Sequence, residues 1–154
     1  MRVHIGGDHA AYELQRALVE HLRAAGHDVV DHGPLAYDAE DDYPVCVLRA
    51  AAGVAAEPGS RGVVLGGSGN GELIAANKVP GIRAALADSV ELAQLARQHN
   101  DAQVVSLGGR FVDVPTGLRI VDAFLETDFT GEARHMRRLA MITAFERDGK
   151  LPTR

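Results

Sequence analysis

The chain has 154 residues, a formal net charge of −5 and one cysteine, Cys46. That length suits one domain, spanning residues 1–154, around one sizeable core; the acidic balance argues against nucleic acid or a membrane surface as partner, and a lone thiol allows neither an intrachain disulfide nor a cysteine-only zinc site. No apolar run reaches the roughly 20 residues that span a bilayer, and the N-terminus enters Arg2-Val3-His4-Ile5 without the apolar stretch of a signal peptide, so a reducing cytoplasm is the expected compartment.

Strand and helix patterns then alternate along the chain. Val3 to Gly6 reads as a short strand. Ala10 to Ala25 reads as a helix with Leu14, Ala17, Leu18, Leu22 and Ala25 along one stripe, stopped by Gly26. Asp28 to Asp31 is a second strand, and His32 to Asp42 is a loop with an acidic run from Asp38 to Asp42. Pro44 suits the first turn of a helix reaching Ala56. After Pro58-Gly59, Gly62 to Leu65 is a third strand, and Leu73 to Asn77 begins a helix. Arg83 to Ala87 is a weak strand. Asp88 or Ser89 caps a helix running to His99. Val104 to Leu107 is a fifth strand, Pro115 to Leu125 an amphipathic helix, and Glu132 to Arg147 a last helix. This alternation predicts an α/β fold, a three-layer α/β/α sandwich on a five-stranded parallel Rossmann-like sheet, with an extra C-terminal helix.

Ligands in such sheets gather at the carboxyl ends of the strands. Four glycines fall there within Gly66-Gly67-Ser68-Gly69-Asn70-Gly71, followed by Glu72. They let backbone approach a ligand closely, and the helix start beyond them offers free N–H groups to an anion. Glu72 is either a first-turn acid favouring the helix dipole or, if partly buried beside a small substrate, a general base of raised pKa. Asp8 and His9 follow the first strand, where Asp8 can cap a helix or both can serve a ligand. His99 and Asn100 end a helix, as a dipole partner and C-cap or as an acid/base and amide donor. Arg134, His135, Arg137 and Arg138 form a basic cluster, a solvated face or a phosphate grip that Arg110 can join. The acidic run lacks calcium-loop spacing and has no histidine at ligand spacing, so a solvated loop rather than a metal site is expected. Cys46 reads as a buried, inert thiol. No Walker A motif is present, and G-G-S-G-N-G does not fit the dinucleotide spacing.

These residues resemble the ribose-5-phosphate isomerase B and galactose-6-phosphate isomerase family. The resemblance rests on Gly7-Asp8-His9-Ala10, Asp42-Tyr43-Pro44, Gly66 through Glu72, Ala75-Ala76-Asn77-Lys78, Ala96-Arg97-Gln98-His99-Asn100, Gly108-Gly109-Arg110 and Arg134-His135-Met136-Arg137-Arg138. The chain looks most like the actinobacterial branch, where the loop carries serine. Many relatives place a catalytic cysteine at the position of Ser68; a serine alkoxide is too costly near neutral pH, so the resemblance makes Glu72 the base. It implies an aldose–ketose isomerase working through a cis-enediolate, with ribose 5-phosphate and ribulose 5-phosphate the default pair and four- or six-carbon sugar phosphates as alternatives. His99 would move the ring-opening proton, with Asp8 as helper, and Ser68 would serve O1 and O2. N–H groups from Gly69 to Gly71, with Asn100, would stabilise the oxyanion. Gly67 and Asn70 belong to the same substrate loop. His9, Arg110, Arg134 and Arg138 would hold the phosphate, with His135 beside them, and Tyr43 would line the sugar pocket. No metal or organic cofactor is implied. The family implies a homodimer, in some members paired into a tetramer, with His99, Asn100 and Arg110 reaching a site built mainly on the other copy. The competing readings are a non-catalytic phosphosugar-binding module, which would not need Asp8, Glu72, His99 and Asn100 together, and a nucleotide-binding oxidoreductase domain, which the glycine spacing disfavours.

Overall fold

The structure, a computed structural model, describes residues 1–153. Among the described residues are five strands: β1 (Arg2–Gly7), β2 (Asp28–Asp31), β3 (Arg61–Gly66), β4 (Ala84–Leu86) and β5 (Val104–Gly108). They form one parallel sheet in the order β2-β1-β3-β5-β4. Six helices accompany them: α1 (Tyr12–Ala24), α2 (Tyr43–Ala56), α3 (Asn70–Ala76), α4 (Val90–Asn100), α5 (Val114–Glu126) and α6 (Ala133–Asp148). A short 3-10 turn, His9–Ala11, precedes α1.

Strands buried on both faces read as continuous apolar runs, and here alternate residues serve opposite layers. Val63 and Leu65 join Leu18 and Leu22 of α1, Ala93 of α4 and Ile120 and Phe124 of α5 on one side. Val64 and Val104 meet Val47, Ala50 and Val54 of α2 and Ala76 of α3 on the other. Gly6 brings α2 close to β1, since a methyl group there would fall 2.6 Å from the Cys46 carbonyl oxygen. α6 lies outside both layers and exposes Met136, Met141, Ile142 and Phe145. Among the described residues, no helix is long and apolar enough to cross a membrane.

The elements agree with the expected alternation, and the differences lie at their ends. β2 has the expected bounds. α3 starts at Asn70 rather than Leu73, because Gly69 adopts φ +80° and turns the chain early. The helix expected from Ala10 begins as the 3-10 turn. Ser89 caps α4, its hydroxyl accepting from the Leu92 N–H at 3.3 Å. Asn100 is the last helical residue of α4; the C-cap is Asp101, in the left-handed region at φ +43°. Cys46 is half-buried rather than buried, with its thiol pKa pushed up by burial.

The chain leaves β1 for one edge of the sheet and β3 for the other. Such a reversal opens a crevice beyond the carboxyl ends of the two adjacent strands. The turns after Gly7 and Gly66 therefore flank the crevice, and that after Gly108 adjoins it.

Candidate active site

A cavity of about 440 Å³ occupies this crevice, lined by Asp8, His9, Ala10, Tyr43, Gly67, Ser68, Gly71, Glu72, Arg110 and Phe111. A larger one, about 650 Å³, lies next door and shares His9, but is lined by Tyr12, Tyr37, Gly109 and Asp113 rather than by Glu72 or Ser68. The smaller cavity holds the acid–base side chains.

Glu72 is only 4% exposed although it lies in the first turn of a helix. Its carboxyl group sits over Gly66: a methyl group there would fall 2.6 Å from Oε2 and closer still to Oε1 and Cδ. Burial raises the Glu72 pKa above the usual carboxylate value, its own main-chain N–H lowers it, and the charge of Asp8 raises it. No cation pairs with Glu72 among the described residues. A buried carboxylate without a counterion keeps its affinity for a proton, as a base for a carbon acid requires.

Asp8 is also buried and its pKa is raised, burial outweighing the Ala10 N–H that donates to its Oδ1 at 2.9 Å. That bond is the expected cap, made to the 3-10 turn. Ser68 is exposed, and its Oγ accepts from the Asn70 N–H at 3.3 Å. Of the three loop donors expected to face an oxyanion, Asn70 is therefore already engaged. The Tyr43 ring fills the space that a side chain at Gly71 would take. The Arg110 guanidinium lies over Gly67, about where a methyl group there would meet it at 3.4 Å. Arg110 was expected at the other copy's site; it lines the cavity of its own chain, because the β5–α5 turn stands beside the glycine loop.

The remaining candidates are elsewhere in the chain. α4 runs back across the sheet, so His99 and Asn100 lie near the amino ends of β4 and β5. Asn100 lines a separate cavity with Arg83, Leu139 and Ile142, and its carbonyl accepts from Arg83 Nε at 2.8 Å. His99 stacks on the buried His135 of α6, ring centroids 4.3 Å apart and planes 14° from parallel. Arg134 is exposed and pairs with Glu132 at 2.9 Å. Arg138 is exposed and makes no ion pair among the described residues. The expected site thus divides into two clusters at opposite ends of the sheet, one carrying Glu72 and the other His99 with the α6 arginines.

Two features of the site were not expected from the sequence. Asp41, read as part of a solvated acidic loop, folds onto His9: its Oδ1 accepts from the His9 N–H at 3.1 Å and lies 2.6 Å from Nδ1. The loop from β2 must cross the end of neighbouring β1 to reach α2, which brings a histidine to the acidic run despite their separation in sequence. Phe111 extends from the cavity rim, 78% exposed. Its place immediately after Arg110 was the only signal.

The pattern of the Ribose/Galactose Isomerase family matches residues 3–142. Ribose-5-phosphate isomerase B of Mycobacterium tuberculosis is 53% identical over 152 residues, covering 99% of this chain and 94% of that protein. Ribose-5-phosphate isomerase B of Escherichia coli is 38% identical over 145 residues, covering 94% of this chain and 96% of that protein. The crystal structure of ribose-5-phosphate isomerase B from Mycoplasma genitalium with bound ribulose 5-phosphate superimposes with a TM-score of 0.91 at 40% identity, covering 96% of this chain and 97% of that one. The ordered motifs, the parallel sheet and these likenesses agree: the chain belongs to the Ribose/Galactose Isomerase family.

Proposed function

We propose that the whole chain acts as one aldose–ketose isomerase domain that interconverts ribose 5-phosphate and ribulose 5-phosphate. The observation that carries this reading is the Glu72 carboxyl group, buried over Gly66 in the crevice, without a cation beside it and with its proton affinity raised. Relatives named for this activity, and a structural neighbour holding ribulose 5-phosphate, support the choice of substrate.

In this mechanism Glu72 takes the proton from C2 of the open-chain aldose. The electrons of that C–H bond form the C1–C2 double bond of a cis-enediolate, and the carbonyl oxygen O1 gains the charge. Delivery of the proton to C1, with proton transfer between O2 and O1, gives the ketose. Ser68 hydrogen-bonds to O1 and O2, and free N–H groups of Gly69 and Gly71 face the oxyanion; preorganised donors of this kind are typically worth about 3–4 kcal/mol each. His9 and Arg110 hold the phosphate, Asn70 shapes the loop and Tyr43 closes the sugar pocket.

His99 opens the sugar ring with Asp8 as helper, Asn100 assists at the oxyanion, and Arg134 and Arg138, with His135 beside them, complete the phosphate grip. All of these but Asp8, which lines the Glu72 cavity, lie at the opposite end of the sheet from Glu72, so a second copy of the chain supplies them. The exposed apolar residues of α6 support such pairing into a homodimer, which can pair again into a tetramer. A cytoplasmic setting fits a small-molecule enzyme with one unpaired thiol.

The test is a coupled isomerase assay over four-, five- and six-carbon sugar phosphates. The five-carbon pair is expected to give the highest kcat/KM. A higher value for a six-carbon substrate would reassign the substrate, and no turnover of any would reject the isomerase.

A further inference from the structure

The loop between β2 and α2 supplies a contact that this mechanism leaves unused. Asp41 Oδ1 serves two donors of His9, the main-chain N–H at 3.1 Å and Nδ1 at 2.6 Å. Both side chains are mostly withdrawn from water, at 26% exposure for His9 and 17% for Asp41. Tyr37 of the same loop stands edge-on to the His9 ring, 6.2 Å away at 90°. Tyr37 in turn meets Tyr12 edge-on, and the Tyr12 hydroxyl donates to the Leu35 carbonyl at 3.3 Å. The imidazole is therefore held on two sides by a loop that is itself fastened to α1.

A carboxylate on Nδ1 fixes the proton there and leaves Nε2 as the free polar corner of the ring. Nε2 makes no hydrogen bond among the described residues. His9 lines the cavity that holds Glu72. We propose that Asp41 is a positioning residue for sugar-phosphate binding: acting through His9, it fixes the Nδ1 proton and turns Nε2 toward the anionic end of the substrate. This rests on the isomerase reading above. Asp8, His9 and Asp41 also bring one ligand atom each within 4.8 Å of one another, a spacing open to a metal ion. The Nδ1–Oδ1 contact favours the hydrogen-bonded arrangement, since each atom already satisfies the other.

The test uses Asp41→Ala, Asp41→Asn, His9→Ala and the double variant His9→Ala/Asp41→Ala. Asp41→Ala is expected to raise KM for ribose 5-phosphate, and the inhibition constant of inorganic phosphate, by about 10-fold or more, the effect of losing a hydrogen bond to a charged group. The change in kcat should stay within about 3-fold, because the reacting carbons are served by other residues. Asp41→Asn should recover part of the loss, since its amide oxygen can still accept from Nδ1. The double variant should be no worse than His9→Ala, because Asp41 acts through that ring. A fall in kcat at unchanged KM, or losses that multiply in the double variant, would overturn the proposal.

Nitrogen-15 NMR of the ligand-free protein near pH 8 reads the same contact without any substrate. The wild-type His9 ring should carry its proton on Nδ1, and Asp41→Ala should release it to the Nε2 form. A wild-type ring protonated on Nε2 would overturn the proposal even if the enzyme is active. If the chain turned over no sugar phosphate, this spectrum would still decide the hold of Asp41 on His9. Inhibition by micromolar Zn²⁺ that Asp41→Ala escapes, with KM unchanged in metal-free buffer, would make the trio a metal site and overturn the positioning role.

Discussion

Replacing Gly66 by alanine separates the placement of Glu72 from the stability of the fold. Gly66 is the last residue of β3, and its φ lies outside the left-handed region, so alanine suits the backbone. The three atoms nearest to the added methyl group all belong to the Glu72 carboxyl, with Oε2 at 2.6 Å and the others nearer. Ordinary contact begins at 3.4 Å, so the carboxyl group must leave its seat by about 1 Å or more. That group is the far end of a flexible side chain, and its movement is easy. The stability loss should therefore fall near the low end of overpacking, about 1 kcal/mol, or a Tm lower by roughly 2–4 °C. A displacement of this size in a catalytic group costs on the order of 100-fold in rate. The assay is kcat by coupled isomerase turnover, run beside thermal unfolding and the inhibition constant of inorganic phosphate. A folded Gly66→Ala protein with phosphate affinity kept and kcat reduced about 100-fold is the expected result. Wild-type kcat in that variant would refute the seating of Glu72 over Gly66 as the catalytic geometry.

Mixing Glu72→Gln with His99→Asn, each inactive alone, should restore about a quarter of wild-type activity after subunit exchange, because half the dimers are mixed and each holds one intact site; no recovery would place both residues in one chain's site. Arg138→Ala should raise KM about 10-fold and weaken phosphate inhibition equally, as loss of a guanidinium–phosphate pair does; unchanged values would remove Arg138 from the anion site. Stability should depend on two stacked histidines, the buried His4 and the half-buried His32, whose Nδ1 and Nε2 lie 3.0 Å apart. Burial lowers the pKa of both below the ordinary value, against the raising effect of Glu57 on His4 and of Asp31 on His32. The unfolded chain then binds more protons as pH falls through about 6.5, so stability is full above that pH and lost below it. Urea unfolding from pH 8 to 5 should show this loss, and His32→Asn should reduce it; an equal slope in the variant would contradict the assignment.

The layers and the glycine loop were legible because they follow from local pattern. Apolar periodicity placed every strand and helix, and β2 was read to the residue. Glu72 could be ranked from its neighbours, since glycines before a carboxylate leave room for a substrate. What could not be read depends on chain crossings. The contact between Asp41 and His9 joins residues 32 apart, and that between His4 and His32 residues 28 apart. Gly53 gives the His4 ring its space, a role invisible in a helix pattern. The start of α3 moved because one left-handed glycine, Gly69, replaces a side-chain cap. Local signals also fail to say which end of the sheet a residue faces. The family resemblance, not local pattern, put His99 at the other copy's site; within one chain a helix that returns across the sheet sets His99 and Glu72 at opposite ends.

The most direct measurement is Glu72→Gln assayed for kcat, for exchange of the C2 proton with deuterated solvent, and for inhibition by inorganic phosphate. Glutamine keeps the shape of the side chain and removes its ability to take a proton. The expected result is a fall in kcat and in exchange of at least about 100-fold, with the phosphate constant within about 2-fold of wild type. Full turnover and full exchange in Glu72→Gln would contradict the assignment of the base.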